Sequence, residues 1–196
     1  MGRRSLQAER KEQILVAFER CVAAHGLEGT TLERVAAFAG LGRPAIRHNI
    51  GNRDALIAAA LERIVQKHED AYASLVDGLP ATGRVDAVLR YLFGGPFSSG
   101  DPDEEDMVLD ELFALRHRDA DIAVRLDAVY RRLQQTLASV LVAEHSATAG
   151  ACRRVAYLVM ALAYGHSTFQ GLGVGKRRSP AAFRAAQRMV DELRST

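Results

Sequence analysis

Five side chains suited to gripping or reading an anionic partner crowd into residues 43–53: Arg43, Arg47, His48, Asn49 and Arg53, within the stretch GRPAIRHNIGNRDAL. Cations and amides at this density suit charge-assisted hydrogen bonds to phosphate oxygens and paired contacts with base edges. The surrounding stretch, TTLERVAAFAGLGRPAIRHNIGNRDAL, starts as an amphipathic helix, breaks at Gly40, restarts for six or seven residues and breaks again. A helix too short to be stabilised by its own burial, pinned between two others and loaded with cations, has the form of a helix-turn-helix. The other reading is a helical corner with a solvated charged face.

Other candidate chemistry fails on spacing. GLGVGKRRS has Gln170 where a phosphate loop needs glycine and Arg177 where it needs Ser or Thr, so it reads as a basic interhelical loop. DPDEED lacks the spacing and glycine of a calcium loop and reads as a solvated helix start. The six histidines form no HExxH, and His117 or His166 near Asp110 or Asp121 is better read as an ordinary histidine than as a metal ligand. No nucleophile elbow or paired-carboxylate site appears. The expectation is a protein with no cofactor, no metal and no catalytic activity.

The 196 residues are 48% hydrophobic and 26% charged, rich in Ala and Leu and poor in strand-type runs, which favours an all-α fold with a sizeable core. Charge is uneven. Residues 1–53 carry nine Lys/Arg against five Asp/Glu, a balance of +4; residues 54–196 carry seventeen against nineteen, a balance of −2. A basic head on a mildly acidic body suggests a polyanion at the N-terminal end. Cys21 and Cys152 each sit in an apolar helical pattern and read as buried thiols in a reducing compartment. The apolar run from Ile14 to Phe18 is too short for a signal peptide, position 6 is not the Ser or Thr of a myristoylation pattern, and Val155 to Tyr164 is too short to cross a bilayer. The expected location is the cytoplasm.

The apolar periodicity predicts about nine helices. The first runs from about Glu9 to His25 and stops at Gly26. Thr30-x-x-Glu33 fits a capping box for the second, whose stripe is Leu32, Val35, Ala36 and Ala39. Gly40 suits a turn needing positive φ. The third helix buries Ile46 and starts at Pro44, leaving Arg43 outside as a cap. Asn52 caps a fourth helix reaching about Val76, and helices follow over 84–93, 103–116, about 122–144, 152–170 and from Pro180. The segment 155–164 is apolar nearly all round, so it must be covered on every side, by a partner chain or by the interior of a monomer. The N-terminal GRR is either a DNA-reaching arm or a solvated tail.

Residues 10–57 resemble the DNA-binding region of the TetR (tetracycline-repressor) family of transcriptional regulators. The resemblance rests on an apolar first helix ending at Gly26, the Thr30-Thr31 pair, Ala36, Ala39-Gly40, Ile46 and Ile50-Gly51-Asn52-Arg53. It implies a helix-turn-helix head over 1–53 and a larger helical ligand-binding and dimerisation domain over 54–196, with the last two helices forming the homodimer interface. The residues it places on DNA are Thr31, Gly42, Arg43, Pro44, Ala45, Arg47, His48, Asn49 and Arg53. The chain departs from the family pattern at Gly42, Pro44, Arg47 and Asn49, which means either an unusual operator or a weakened head.

For an unknown small-molecule effector, the candidate contacts are Phe93, Met107, Asp110, Phe113, His117, Tyr130, Gln134, Tyr157, Met160 and His166, large apolar groups or polar tips on the body helices. The reading is a ligand-responsive regulator, a repressor released from a pseudo-palindromic operator. The alternatives are a small-molecule-binding helical protein with a degenerate DNA head, and an all-helical enzyme for which no polar site is found.

Overall fold

The computed structural model describes residues 3–94, 104–174 and 179–195. Among them are nine α-helices: α1 Arg3–Gly29, α2 Leu32–Ala39, α3 Arg43–Asn49, α4 Arg53–Asp77, α5 Arg84–Gly94, α6 Glu104–Leu115, α7 Ala120–Glu144, α8 Ala149–Gly171 and α9 Ser179–Asp191, with a final 3-10 turn Glu192–Ser195. Packing divides the chain into two units, Met1–His68 with Asp103–Leu126 and Glu69–Pro102 with Asp127–Thr196. The division falls inside α4 and inside α7. Residues 175–178 of the GLGVGKRRS loop and 98–103 of SSGDPDEED lie outside the described residues.

The first unit is built on Ile14, Phe18, Val35, Ile46, Leu56, Ile64, Val108 and Leu112, all fully buried in one apolar cluster. The positions at i, i+4 and i+7 on α1 face α2, α3 and α6, so α6 packs in the same unit as α1 although fifty residues of sequence separate it from α4's start. Gly26, at φ 66°, kinks α1 near its end, and a Cβ there would meet the Glu111 carboxylate at 3.3 Å. α1 starts at Arg3 rather than near Glu9; its first turns are polar, so no apolar period marks them. That puts Arg3 and Arg4 in helix and not in an extended arm.

The local signals for α2 differ by one residue from the expected capping box. Thr31 is the N-cap, accepting from the Arg34 N–H at 3.3 Å, while Thr30 is buried and its hydroxyl donates to the Gly26 carbonyl at 2.8 Å. Gly40 ends α2 in the left-handed region (φ 65°, ψ 33°), letting its N–H and that of Leu41 reach back to Ala37 and Ala36. Asn52 caps α4 as expected, accepting from the Ala55 N–H at 2.9 Å.

The second unit packs α5, α8 and α9 together around Val88, Leu89, Cys152, Ala156, Val159 and Ala186, with Leu137 and Leu141 from α7 also buried. Glu144 at the end of α7 accepts from the Arg84 and Val85 N–H groups at 2.6 and 3.3 Å, so α5 is capped from sixty residues away. Both cysteines are free and buried. α8 is not buried on every side. Ala156, Val159 and Ala163 face inward, but Tyr157 is 62% exposed and Leu158 and Tyr164 each 49%, so this chain alone does not make α8 an interior helix. No helix is long and apolar enough to cross a membrane among the described residues.

Candidate nucleic-acid interface

α3 is seven residues long and hangs on one fully buried side chain, Ile46. That anchor turns Arg43, Pro44, Arg47 and His48 to solvent, with Ala45 and Asn49 half-buried. Contrary to expectation, Arg43 lies inside the helix. Gly42 is the N-cap and Pro44 falls in the first turn, where its missing N–H has no intrahelical partner to lose. Gly42 gives no side-chain cap.

The expected DNA-contacting residues have different engagements. Arg43 pairs with Glu33 of α2 at 2.9 Å. The Glu33 carboxyl is held below its usual range, first by its own backbone N–H and then by Arg43 and the Thr31 hydroxyl. Asn49 donates to the Ala45 carbonyl at 2.8 Å, within its own helix. Arg47 and His48 are the exposed pair at the C-terminal half of α3, and Thr31 is exposed at the start of α2. Thr31, Gly42 to Ala45 and the Arg47–Asn49 run therefore lie on the α2–α3 module, while Arg53 lies at the start of α4.

Arg53 donates from Nη2 to the Leu27 carbonyl at 2.7 Å and from Nε to the Thr30 carbonyl at 3.2 Å. These carbonyls sit where α1 ends and α2 is about to begin, so the guanidinium ties the start of α4 to that junction and complements the negative end of α1. Charged donors to carbonyls are each worth about 1.5–3 kcal/mol. Arg53→Ala is expected to lower stability by about 2 kcal/mol, with Arg53→Lys recovering little because an ammonium lacks the fork. Urea unfolding checks this; a loss under about 0.5 kcal/mol would show the clamp to be dispensable.

Sequence reasoning missed five more residues here: Arg10, Glu12, Gln13, Glu19 and Arg63. Gln13 donates to the Ala39 carbonyl at 2.8 Å and accepts from Arg10 at 2.9 Å, joining α1 to the end of α2. Arg63 of α4 binds Glu12 and the buried Glu19 of α1. Their types carried no signal, because each depends on a partner brought close only by folding.

The ten effector candidates are divided between the units. Met107, Asp110, Phe113 and His117 belong to the first: Phe113 packs on the head core under the Arg116 guanidinium, while Met107, Asp110 and His117 are exposed. The other six belong to the second. Buried Phe93 lies 6.4 Å from the His166 ring and 6.3 Å from Phe183, Tyr130 meets Tyr164 edge-on at 6.2 Å, and Met160 is half-buried. Gln134 and Tyr157 line an open depression with Arg153, Arg154 and Leu158. Among the described residues no three His, Cys, Asp or Glu side chains gather as metal ligands.

No protein-family model matches the sequence, and no curated protein matches it. Solved structures do. A TetR transcription regulator from Haloarcula marismortui superposes with a TM-score of 0.79 at 18% identity, covering 95% of this chain and 98% of that one. A transcriptional regulator from Rhodococcus sp. Rha1 gives 0.69 at 21% identity, covering 93% and 95%. NalD, the secondary repressor of the MexAB-OprM multidrug efflux pump in Pseudomonas aeruginosa, gives 0.67 at 15% identity, covering 93% and 97%. The chain therefore has the all-α fold of TetR regulators along nearly its whole length, and the resemblance first carried by residues 10–57 extends to the body helices.

Proposed function

We propose that the protein is a cytoplasmic, homodimeric, ligand-responsive transcriptional regulator, acting as a repressor, with a DNA-binding head over 1–53 and an effector and dimerisation domain over 54–196. The observation that carries this is the exposed Arg47–His48 face of α3, held outward by Ile46, with Thr31 also exposed at the start of α2. Two such helices, one from each chain, enter successive major grooves about 34–36 Å apart on a pseudo-palindromic operator. The apolar stripe of α8 supports dimerisation through the last two helices, and the likeness to NalD supports repression. A small molecule in the body releases DNA by favouring a dimer whose heads are wrongly spaced, to the extent that it prefers that state.

The rival reading of a degenerate head is less favoured, since α3 keeps its helix, its buried anchor and the exposed Arg43 and Arg47 despite Gly42 and Pro44. Selecting random and genomic duplexes with the purified protein near physiological salt separates the two. A palindromic motif with half-sites one helical turn apart supports the regulator; binding without any motif, lost as salt rises, supports the rival. On the selected duplex, Arg47→Ala is expected to weaken binding by about tenfold and to reduce the salt slope by about one. An unchanged slope would remove Arg47 from the phosphate contacts.

A further inference from the structure

We propose that the N-terminal turns of α1 carry a second DNA-contact site, in which Arg10 grips a backbone phosphate of the strand flanking the half-site; this rests on the reading of α3 as a DNA reader. Leu6, Gln7, Arg10 and Gln13 of α1 face His48 and Asn49 of α3 across an open groove of about 580 Å³. Glu9 also lines it, so the groove carries one carboxylate as well as the Arg10 guanidinium.

The arginine is held in place without being neutralised. The Gln13 amide donates to the Ala39 carbonyl at 2.8 Å, a group left open because α2 ends there. With its nitrogen committed to the main chain, the amide oxygen points the other way and accepts from Arg10 Nη1 at 2.9 Å. A neutral amide takes up one of the five guanidinium donors and none of the charge. Elsewhere in this unit Arg43 sits on Glu33, Arg63 on Glu12 and Glu19 and Arg53 on two carbonyls, whereas Arg47, like Arg10, meets no carboxylate among the described residues. Among the described residues Arg10 pairs with no carboxylate, so its charge remains for a partner. A guanidinium set beside the recognition helix, with its charge unspent, suits the bidentate geometry of a phosphate.

Arg10 is then a direct contact and Gln13 a positioning residue, and the two separate by experiment. Binding of the full-length protein to its selected duplex is measured by fluorescence anisotropy across a salt series, with thermal unfolding as a control for folding. Arg10→Ala is expected to weaken binding by about tenfold and to lower the slope of log K against log salt by about 0.9. Arg10→Lys keeps the slope while losing part of the affinity, because charge survives but the fork does not. Gln13→Ala weakens binding by about threefold in the wild-type background and not at all beside Arg10→Ala, a non-additivity that general damage to α2 would not produce. If Arg10→Ala binds with wild-type affinity and slope while Arg47→Ala is weakened, this site is absent and the regulator reading stands. If the wild-type protein selects no duplex, the reading and this site fall together.

Discussion

Leu158→Glu is expected to turn the protein into monomers at micromolar concentration and to lower operator affinity by at least about a hundredfold, the loss that follows when two heads are no longer linked. Leu158 lies in a stripe along α8 with Tyr157, Tyr164 and Phe169, spaced so that one helix face carries them and exposed by 49–62% in the single chain. A contiguous apolar face of this kind marks an interaction surface. A carboxylate placed on this face would lose its hydration in the dimer, while the monomer would solvate it freely. Light scattering and operator titration read the two effects together. A Leu158→Glu protein that stays dimeric would move the interface off α8; one that is monomeric yet binds a single half-site as tightly as wild type binds the whole operator would overturn the two-groove mechanism.

The second large effect is on folding. Arg63→Ala removes the guanidinium that binds Glu12 through Nε and Nη2 at 3.0 and 2.7 Å and meets Glu19, whose side chain is 7% exposed. Leaving a buried charge without its partner costs about 3–5 kcal/mol, and because Arg63 keeps 17% exposure the lower end applies, about 3 kcal/mol. The pH dependence has a definite sign. Burial raises the Glu19 carboxyl above its ordinary value, with Arg63 and Lys67 pulling it back, so removing Arg63 raises it further. A raised carboxyl contributes stability that is present below its unfolded value and lost as pH rises through the folded one. Glu12 is lowered, chiefly by its hydrogen bonds to Arg63, and its contribution is present at neutral pH and lost on acidification. The Glu19 change makes the deficit of the variant larger near pH 7 than at pH 5, while the Glu12 part is still present at pH 5 and is lost only on further acidification. Urea unfolding at the two pH values tests this, and Glu19→Gln added to Arg63→Ala should recover much of the loss. Equal deficits at both pH values would mean the ion pairs are not the cause.

The head was largely legible from local chemistry. The Thr pair, the αL glycine and the lone Ile46 are short-range signals, and the structure places the α2–α3 turn where they indicate. What stayed hidden depends on distant partners. Arg53 looks like a phosphate grip in sequence, and the carbonyl acceptors that its guanidinium also has lie 23 and 26 residues away. Glu33 looked like half of a capping box, whereas it meets Arg43 across the turn. The start of α1 was placed too late because its polar first turns have no apolar rhythm to announce them. The grouping of α6 with α1 was invisible for another reason: chain order suggests that everything after the head belongs together, while packing takes α6 back to the first unit. The effector candidates were chosen by residue type on separate helices, and type alone does not say which of them converge.

The single deep anchor of α3 also bears on how such a head changes over generations. Of seven residues only Ile46 is committed to the core, and Pro44 sets the first turn without needing a partner. The exposed positions around them are under little obligation to the fold, so substitutions there alter what is touched outside the protein far more than whether the chain folds. Substitutions at these positions can thus accumulate one residue at a time at little cost to the fold. The departures at Gly42, Pro44 and Arg47 sit on the part of the molecule where such drift costs least.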